Sequence, residues 1–290
     1  MPASATILIV NFDSGTHLAA CLDSIGAHAP DSRVIVIDNA SRDGSDATAA
    51  ARGPRVTLVR NTENVGFARA VNQACALTAD ERVLLLNPDC ILDAGCLDQL
   101  SAELDAHPGC AIAAPRVLNE DGTVQGSVRG HPTLLTGVFG RTSLLTRLFP
   151  NSALARRNVV VGGGHELRES RTADWVSGAC MLVRRRALDE VGGFDARYFL
   201  YWEDADLCRR LAAVGYTIRY VPTATVAHSG GGSSRSARAL AIRAFHRSAY
   251  LYYSTHVARG PWTRLVARLL LAGRCRWKLL AMKLATSRRA

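Results

Sequence analysis

Residues 33–39 read Arg-Val-Ile-Val-Ile-Asp-Asn, and the unbroken β-branched run in their middle predicts a buried strand over 33–38. An unbroken apolar run, unlike an alternating one, is typical of a strand covered on both faces of its sheet. Similar strand patterns stand at 6–12, 56–60, 83–86 and 110–115. Helical patterns alternate with them at 16–28, 45–52, 67–78 and, with Asp93 as the predicted N-cap, up to about residue 107. This alternation predicts an α/β fold with a mostly parallel sheet.

The second half of the chain is less regular. Residues 127–172 have no clear periodicity, and the glycine run at 162–164 predicts a loop. Further strands are predicted at 175–183 and 216–221, and further helices at 185–191, 204–213, 236–257 and 261–286. A glycine-serine run at 230–234 predicts a hinge. We therefore expect a main domain over 1–232 and a basic helical extension over 233–290.

The net charge of +10 is divided unevenly along the chain. Residues 1–206 hold all 25 acidic residues and 19 of the 35 basic ones, for a net charge of −6. Residues 207–290 hold the other 16 basic residues and no acidic one. A strongly basic tail favours binding to phosphate, either on a membrane surface or on nucleic acid.

The second helix of the tail, 261–286, is amphipathic on a helical wheel. Its apolar face carries Trp262, Leu265, Val266, Leu269, Trp277, Leu280 and Leu284. The other face carries Arg264, Arg268, Arg274 and Lys278, while Leu271, Arg276 and Lys283 break the pattern. This pattern predicts contact with a membrane surface, and the alternative is a helix packed on the main domain. We expect no nucleic-acid partner, because no recognition motif accompanies the basic residues.

Composition also indicates the compartment. The 8 cysteines form no Cys-x-x-Cys pair, so neither a zinc ribbon nor a disulfide framework is expected. No apolar run reaches the ~18 residues of a membrane-spanning helix, and the N-terminus has no signal-peptide pattern. We expect a cytoplasmic protein that is peripheral at the inner face of the cell membrane.

Polar side chains follow the predicted strands of the first half. They are Asn11, Asp38 with Asn39, Asn61, and Asn87 with Asp89. Ligands of parallel α/β sheets bind at the carboxyl ends of the strands, so these residues predict one site. No Gly-x-Gly-x-x-Gly follows the first strand, so neither a dinucleotide cofactor nor a P-loop is expected.

Two further clusters carry chemistry. Asp89 is a candidate ligand for Mg²⁺ or Mn²⁺, because these cations prefer oxygen ligands. His228, just before the glycine hinge, is a candidate metal or phosphate contact. Glu203, Asp204 and Asp206 stand at a predicted helix start, where they either cap the helix or supply a general base with a raised pKa.

Seven short motifs occur in order along residues 6–232. They are Ile9–Phe12, Val36–Ser45, Asn64–Asn72, Leu86–Asp89, Trp175–Met181, Gly192–Asp195 and Phe199–Arg209. Together they resemble the inverting family 2 glycosyltransferases of the GT-A fold, in particular the bacterial rhamnosyltransferase-like branch. The resemblance implies a nucleotide-diphospho-sugar transferase fold and leaves out the basic helices after residue 235.

The resemblance also implies roles for single residues. Val10, Asn11 and Asp38 would line the nucleoside pocket. Asn64 and Arg69 would face the nucleotide and its diphosphate.

The metal would be bound by Asp89 and His228, with Asn87 beside them on the donor side. Asp204 would be the catalytic base, with Glu203 next to it. Trp175 and Trp202 would shape the acceptor side, although ordinary core packing is the alternative for both. Asn87 departs from the Asp-x-Asp motif of the family and removes one charge from the metal site.

The resemblance implies dTDP-rhamnose as the favoured donor and a glycan or polyprenyl-diphosphate-linked sugar as acceptor. A UDP-sugar donor is the first alternative, because donor choice depends on pocket shape. A noncatalytic nucleotide-sugar-binding protein or scaffold with the same fold is the second alternative.

Overall fold

The computed structural model describes residues 5–132, 169–230 and 237–287. The strands are β1 (Thr6–Asn11), β2 (Val34–Asp38), β3 (Val56–Arg60), β4 (Arg82–Leu86), β5 (Cys90–Leu92), β6 (Cys110–Leu118), β7 (Val128–Arg129), β8 (Arg171–Ala173), β9 (Trp175–Val176), β10 (Cys180–Arg184) and β11 (Thr217–His228). The helices are α1 (His17–His28), α2 (Ser45–Ala50), α3 (Phe67–Cys75), α4 (Cys96–Ala106), α5 (Arg185–Glu190), α6 (Glu203–Ala213), α7 (Arg238–His256) and α8 (Pro261–Ser287). The predicted loop at 162–164, most of the predicted hinge and the expected domain boundary lie outside the described residues.

A nine-stranded sheet forms the centre of the fold, with strand order β3-β2-β1-β4-β10-β6-β11-β5 and with β8 paired to β11. The adjacent strands β3, β2, β1 and β4 are parallel to one another, and β6 is parallel to β11. Strands β10, β5 and β8 run antiparallel to their neighbours. The predicted α/β class with a mostly parallel sheet is therefore confirmed, with antiparallel strands inserted in its second half.

The strand predicted over 175–183 is wrong as a single element. Residues 175–176 form β9, which pairs with β7 in a separate two-stranded sheet. Residues 180–184 form β10, which inserts between β4 and β6 in the main sheet. The chain changes sheets at Ser177–Ala179, named here the 177–179 loop.

The predicted N-cap of α4 is also wrong. The helix begins at Cys96 after Gly95, whose φ is 71°. The Asp93 carboxylate instead accepts a hydrogen bond from the Thr225 hydroxyl at 2.5 Å. Asp93 therefore ties the segment before α4 to β11. Strand β11 is longer than predicted and continues to His228.

The core has one layer on each face of the main sheet. Ile7 and Ile9 of β1 pack in one layer with α1 and α4, whereas Leu8 packs in the other layer with α3 and α6. Successive side chains of a strand point to opposite faces, so a fully apolar strand serves both layers.

The two C-terminal helices form a hairpin. Helix α7 packs on the main domain: Tyr252 is 1% exposed, and the Ser248 hydroxyl donates to the Leu200 carbonyl oxygen at 2.9 Å. Helix α8 packs against α7. The charge of Arg238 near the start of α7 acts on Lys278 near the end of α8, so α8 runs back along α7.

Helix α8 has one half-buried side and one exposed side. The half-buried side carries Ala267, Leu271, Arg274, Cys275, Lys278, Leu279 and Met282. Leu271 breaks the amphipathic pattern because it belongs to the side that α7 covers. The exposed side carries Trp262, Leu265, Val266, Leu269, Leu270, Trp277, Leu280 and Leu284. No described helix is long and apolar enough to cross a membrane.

Candidate active site

A cleft of about 210 Å³ opens at the carboxyl ends of β1 and β4. It is lined by six of the predicted site residues, Val10, Asn39, Asn64, Asn87, Asp89 and His228. The rest of its wall consists of Phe12, Gly66, Phe67, Pro88, Phe199, Leu200, Tyr201, Ala237, Leu240 and Ala241. The cleft therefore lies at the sheet edge where ligands of α/β proteins bind, and the start of α7 helps to close it.

Asn11 and Asp38 are buried beside the cleft and do not line it. Asn11 Nδ2 donates to Asp38 Oδ1 at 2.7 Å and to Ser45 Oγ at 2.9 Å. The Asp38 carboxylate also accepts from the backbone N–H and the hydroxyl of Ser41, at 3.1 and 2.6 Å. These bonds join the ends of β1 and β2 to the following loop and fix the shape of the cleft wall.

A close approach of α3 to the loop before α6 shapes the opposite wall. Gly66 has a φ of 87°, and a Cβ atom there would lie 2.6 Å from the Phe199 carbonyl oxygen. This position therefore requires glycine. Phe67 N–H donates to the same oxygen at 2.7 Å, and Asn64 Oδ1 accepts from Gly66 N–H at 2.9 Å. Asn64 thus holds the turn while it faces the cleft.

The structure does not bring Arg69 to the cleft. Arg69 is exposed on α3, and its Nε atom donates to the Ala196 carbonyl oxygen at 3.4 Å. Phe67, two positions earlier, lines the cleft instead. Residues two apart on a helix do not share a face, so Phe67 faces the cleft and Arg69 does not.

Asp89 and His228 face each other in the cleft, with 3.2 Å between Asp89 Oδ1 and His228 Nε2. His228 Nδ1 lies 2.9 Å from Gln125 Oε1, while Gln125 Nε2 donates to Asn119 at 3.0 Å. Gln125 Oε1 thus accepts from the Nδ1–H group of His228, and the Nε2 atom of His228 faces Asp89.

The pair fits a divalent cation. Ligand atoms of Asp89, Cys90 and His228 lie within 4.8 Å of one another. Carboxylate oxygen and imidazole nitrogen are common ligands of divalent metals, and an outer hydrogen bond such as that of Gln125 fixes the ligating imidazole.

The 177–179 loop connects Asn87, which lies next to the Asp89–His228 pair in the cleft, to the acid cluster of α6. The Ala179 carbonyl oxygen accepts from Asn87 N–H at 2.9 Å. Its neighbour Gly178 donates its N–H to Asp204 Oδ2 at 3.0 Å. One short loop therefore sets the relative positions of Asn87 and Asp204.

Helix α6 begins after a strained turn. Tyr201 and Trp202 have φ values of 68° and 73°, a region that bulky residues rarely adopt. Such conformations cost about 1–3 kcal/mol each and are concentrated at functional sites. The turn directs the first turn of α6, which carries all three acids of the cluster.

Glu203 and Asp204 have different electrostatic environments. Glu203 is buried, and its Oε2 has no hydrogen-bond partner among the described residues. Burial raises the pKa of Glu203 well above its ordinary value, and the charge of Asp204 raises it further. Glu203 therefore keeps its proton to a higher pH than an exposed glutamate does.

Asp204 has the smaller upward pKa shift of this pair, so it loses its proton more readily than Glu203. Burial raises the pKa of Asp204 above its ordinary value. Hydrogen bonds from the N–H groups of Gly178 and Ala205 oppose the shift, and so does the charge of Arg129. A carboxylate that is ionised but has a raised pKa is suited to accept a proton.

Asp206 is a structural acid. It is 1% exposed and pairs with Arg210 Nε at 2.7 Å and His256 Nε2 at 2.6 Å. Tyr198 adds a hydroxyl 3.3 Å from the same carboxylate. Asp206 therefore joins α6 to the end of α7.

The two predicted acceptor-side tryptophans lie in different surroundings. The Arg129 guanidinium carbon lies 5.0 Å from the ring centroid of Trp175, which precedes the 177–179 loop. Trp202 packs against Phe245 and Tyr252 of α7, with centroid distances of 5.8 and 5.3 Å. Trp175 thus lies three residues before Gly178, which bonds to Asp204, while Trp202 packs α7 against the main domain.

The comparison with protein-family models identifies the family of this chain. The model described as "Glycosyltransferase like family 2" matches residues 2–250. The chain is a family 2 glycosyltransferase. The matched region of this glycosyltransferase extends through most of α7.

Curated relatives support the same family. N-acetylglucosaminyl-diphospho-decaprenol L-rhamnosyltransferase of Mycobacterium tuberculosis (strain H37Rv) is 32% identical over 282 residues, which cover 92% of this chain and 89% of the relative. Rhamnosyltransferase WbbL of Escherichia coli (strain K12) is 40% identical over 79 residues, 27% of this chain and 30% of the relative.

Solved glycosyltransferases share the GT-A fold. A mannosyltransferase of Pyrobaculum calidifontis, in complex with GDP-Man and Mn²⁺, has a TM-score of 0.56 and 18% identity; the match covers 100% of this chain and 76% of that one. GalNAc-T7 with UDP, GalNAc and Mn²⁺ has a TM-score of 0.59 and 16% identity, over 78% of this chain and 44% of that one. These likenesses establish the fold of the glycosyltransferase.

Two residues at this glycosyltransferase site carry no sequence signal. Gln125 reaches His228 because its backbone N–H bonds to the Val117 carbonyl oxygen in β6 at 2.8 Å. Arg129 reaches Trp175 through the pairing of β7 with β9. Both contacts arise from pairing between distant segments, which no local motif encodes.

Proposed function

We propose that this glycosyltransferase moves L-rhamnose from dTDP-β-L-rhamnose, with inversion, to a sugar carried on a polyprenyl diphosphate. The observation that carries the reaction class is the 177–179 loop, which bonds to Asn87 in the cleft and to Asp204 on the acid cluster. The donor and acceptor classes are supported by the name and the length-wide match of the mycobacterial relative.

Donor binding is assigned to the cleft. Val10 and Asn64 would contact the nucleotide, and Asn87 would stand beside its diphosphate. Asn11 and Asp38 would act from behind the wall, since their polar atoms are engaged by each other and by Ser41 and Ser45. Arg69 would need a movement of α3 to reach the donor.

Asp89 and His228 would hold Mg²⁺ or Mn²⁺, which when bound supplies positive charge to the departing diphosphate. Replacing the first acid of Asp-x-Asp by Asn87 leaves this site with a single carboxylate from the motif. We therefore expect weak metal binding in the absence of the donor and tighter binding with it.

Asp204 would act as the general base. It accepts the proton of an acceptor hydroxyl, whose oxygen attacks the anomeric carbon as the bond to the diphosphate oxygen breaks. Attack from the face opposite the diphosphate inverts the configuration, through an oxocarbenium-like transition state as in other glycosyl transfers. Glu203, with its raised pKa, would stay protonated beside the base.

Helix α8 would bind the inner face of the cell membrane, where a polyprenyl-linked acceptor resides. Its exposed side includes Trp262 and Trp277, which are 77% and 70% exposed. Arg264, Arg268, Arg276 and Lys283 are exposed around it. Apolar and aromatic groups flanked by basic ones are suited to an anionic lipid surface.

The test is a transfer assay with full-length protein, Mg²⁺, dTDP-rhamnose and a short-chain polyprenyl-diphospho-N-acetylglucosamine. We expect one rhamnose to be added to the acceptor with inversion. UDP-glucose and UDP-N-acetylglucosamine serve as competing donors in parallel reactions. Transfer from a UDP-sugar alone would overturn the donor assignment. Absence of transfer by a parent protein that binds dTDP-rhamnose would overturn the rhamnosyl-transfer assignment.

A further inference from the structure

Residues 87–90 form a tight turn between β4 and β5. Pro88 occupies the second position of the turn, where the fixed φ of proline is favoured, and Cys90 N–H donates to the Asn87 carbonyl oxygen at 3.1 Å. The turn places Cys90 directly after Asp89, at the first position of β5. A thiol, a ligand that soft metals prefer, therefore follows the carboxylate of the metal pair.

Pairing of β5 with β11 holds Cys90 beside His228. The two residues are opposite each other in the antiparallel ladder. Side chains that are directly opposite point to the same face of a sheet, with Cβ atoms about 4.5–5.5 Å apart. Ser229 N–H donates to the Asp89 carbonyl oxygen at 3.1 Å and continues the same contact by one residue. The backbone therefore sets the position of the thiol relative to the imidazole.

Three different ligand atoms converge at this point. Asp89 Oδ1 lies 3.2 Å from His228 Nε2, and Cys90 Sγ lies within 4.8 Å of ligand atoms of both residues. Cys90 is fully buried, and Asp89 is 9% exposed. A tetrahedral ion with bonds of about 2.0–2.3 Å holds its ligand atoms roughly 3.3–3.8 Å apart. A movement of Sγ by about 1 Å at most would bring the three atoms to that spacing.

The Cys90 thiol makes a weak hydrogen bond that a metal could replace. Its Sγ donates to the Ala179 carbonyl oxygen at 3.3 Å, and a thiol is a poor donor. The same oxygen accepts from Asn87 N–H at 2.9 Å, so it would keep a partner after the thiol has left. A thiol that ligates a metal releases its proton to solvent. Metal uptake would thus exchange a weak hydrogen bond for a metal–sulfur bond.

This ligand set favours a thiophilic cation over Mg²⁺. Mg²⁺ demands near-octahedral oxygen ligands, whereas the motif supplies a single carboxylate here because Asn87 stands in place of its first acid. Zn²⁺ accepts sulfur, nitrogen and oxygen together, and three protein ligands with one open position are typical of a catalytic zinc site. The open position would be available to a diphosphate oxygen of the donor.

We propose that Asp89, Cys90 and His228 form one three-ligand site, in which the thiol makes Zn²⁺ and Co²⁺ the preferred cations. The inference rests on the proposed function, which places a divalent cation at Asp89 and His228, and it adds the ligand that selects the metal. The bound ion would also take Cys90 away from the 177–179 loop. The choice of metal would therefore act on the loop that holds the catalytic base.

Cobalt absorption tests the site with full-length protein. The probe is Co²⁺, added in buffer free of thiols with saturating dTDP. We expect a cobalt–thiolate charge-transfer band in the near ultraviolet. Cys90→Ser keeps a hydroxyl donor for the Ala179 carbonyl oxygen and should lose this band. Cys275→Ser removes the one half-buried thiol of the eight, on α8, and is the matched control that should keep it. Absence of the band in the parent, or its persistence in Cys90→Ser, would overturn the site.

X-ray absorption of the zinc-loaded parent needs no variant. We expect one sulfur atom at about 2.3 Å from the zinc, together with nitrogen and oxygen neighbours. A zinc ion surrounded by nitrogen and oxygen atoms alone would overturn the thiol as a ligand.

Metal affinities separate this inference from the proposed function. In competition with a chromophoric chelator, Cys90→Ser should bind Zn²⁺ at least tenfold more weakly than the parent does. Its affinity for Mn²⁺, measured by electron paramagnetic resonance with dTDP, should be unchanged, which also shows that the variant is folded. Rhamnose transfer with equal Zn²⁺ affinity in both proteins removes the thiol ligand and keeps the function. A cobalt–thiolate band that depends on Cys90, in a protein that transfers no rhamnose, keeps the site and removes the rhamnose assignment.

Discussion

The Nε2 atom of His228 lies 3.2 Å from Oδ1 of Asp89, and Gln125 accepts the proton on the other ring nitrogen of His228. A carboxylate oxygen and an imidazole nitrogen thus face each other in the cleft. Both are common ligands of divalent cations, so the arrangement is suited to metal even with Asn87 in place of the first acid of the motif.

Gln125→Leu should weaken Mn²⁺ binding about 10- to 100-fold, because the imidazole loses the bond that orients it. Free Mn²⁺ measured by electron paramagnetic resonance in the presence of dTDP reports the affinity. Gln73→Leu removes an exposed glutamine that bonds to Asn61 and is the matched control. Equal affinity of the two variants would argue against a role for Gln125.

Asp204→Asn should lower kcat by about 10²- to 10⁴-fold, the usual contribution of a general base. Donor affinity should stay unchanged, because Asp204 does not line the cleft. Glu203→Gln should cost less, since an amide resembles the protonated acid. Calorimetry with dTDP-rhamnose and initial rates separate the effects. A larger loss in Glu203→Gln than in Asp204→Asn would exchange the roles of the two acids.

The rate should fall as the pH drops through the pKa of Asp204, because only the ionised carboxylate accepts a proton. Burial raises this pKa, so the loss should begin at a higher pH than for an exposed aspartate. The pH profile of kcat/KM for the acceptor measures it. Arg129→Gln removes a charge that lowers this pKa and should move the acidic limb to still higher pH. An unmoved limb in that variant would contradict the assignment.

Gly66→Ala should destabilise the protein by at least ~1–3 kcal/mol, since alanine would adopt a φ of 87° and meet the Phe199 carbonyl oxygen at 2.6 Å. Gly26→Ala within α1 is the matched control. A Cβ there has nothing within 4 Å, and alanine should stabilise the helix by ~0.5–1 kcal/mol. Urea unfolding measures both. Similar free energies of unfolding for the two variants would contradict the strain at Gly66.

Removal of residues 261–290 should abolish flotation with anionic vesicles and leave the melting temperature nearly unchanged. The apolar face of α8 is exposed, so its loss uncovers little core. Trp262→Ser with Trp277→Ser should weaken flotation in the full chain. Leu77→Ser with Val214→Ser, two exposed apolar residues of the main domain, is the control. Retained flotation without α8 would assign membrane binding to another surface.

A longer deletion from residue 236 should destabilise the protein, because α7 belongs to its packing. Asp206, 1% exposed, would lose its His256 partner, and buried Tyr252 would leave the core. Loss of a hydrogen bond to a charged group costs about 1.5–3 kcal/mol. Thermal unfolding of the two truncated chains gives the comparison. Equal melting temperatures would show that α7 adds nothing to the stability of the main domain.

Local patterns predicted the first half of the fold well. The apolar strands at 34–38 and 82–86 are continuous, so their class and order follow from periodicity alone. The exchange of sheets at the 177–179 loop was missed, although the Ser177-Gly178 pair within this run is a turn signal. The pairings with β7 and β4 divide the run there.

The sequence predicted some residues of the candidate site correctly and others not. Residues directly after strands, such as Asn87 and Asp89, reach the cleft because parallel strands end at one edge of the sheet. The sequence does not distinguish a residue that lines a cleft from one that supports it, as Asn11 illustrates. That difference depends on which side chains already satisfy its hydrogen bonds.

If α8 binds the membrane as proposed, the hairpin of α7 and α8 limits how far the enzyme can follow its product. Since α8 folds back along α7, the exposed apolar face near Trp277 returns toward the end of α7 that closes the cleft. A protein resting on lipid through this face holds its catalytic centre at a fixed, short height. An acceptor whose terminal sugar has grown away from the lipid then passes out of range. The enzyme would therefore act early in chain assembly, and once per acceptor.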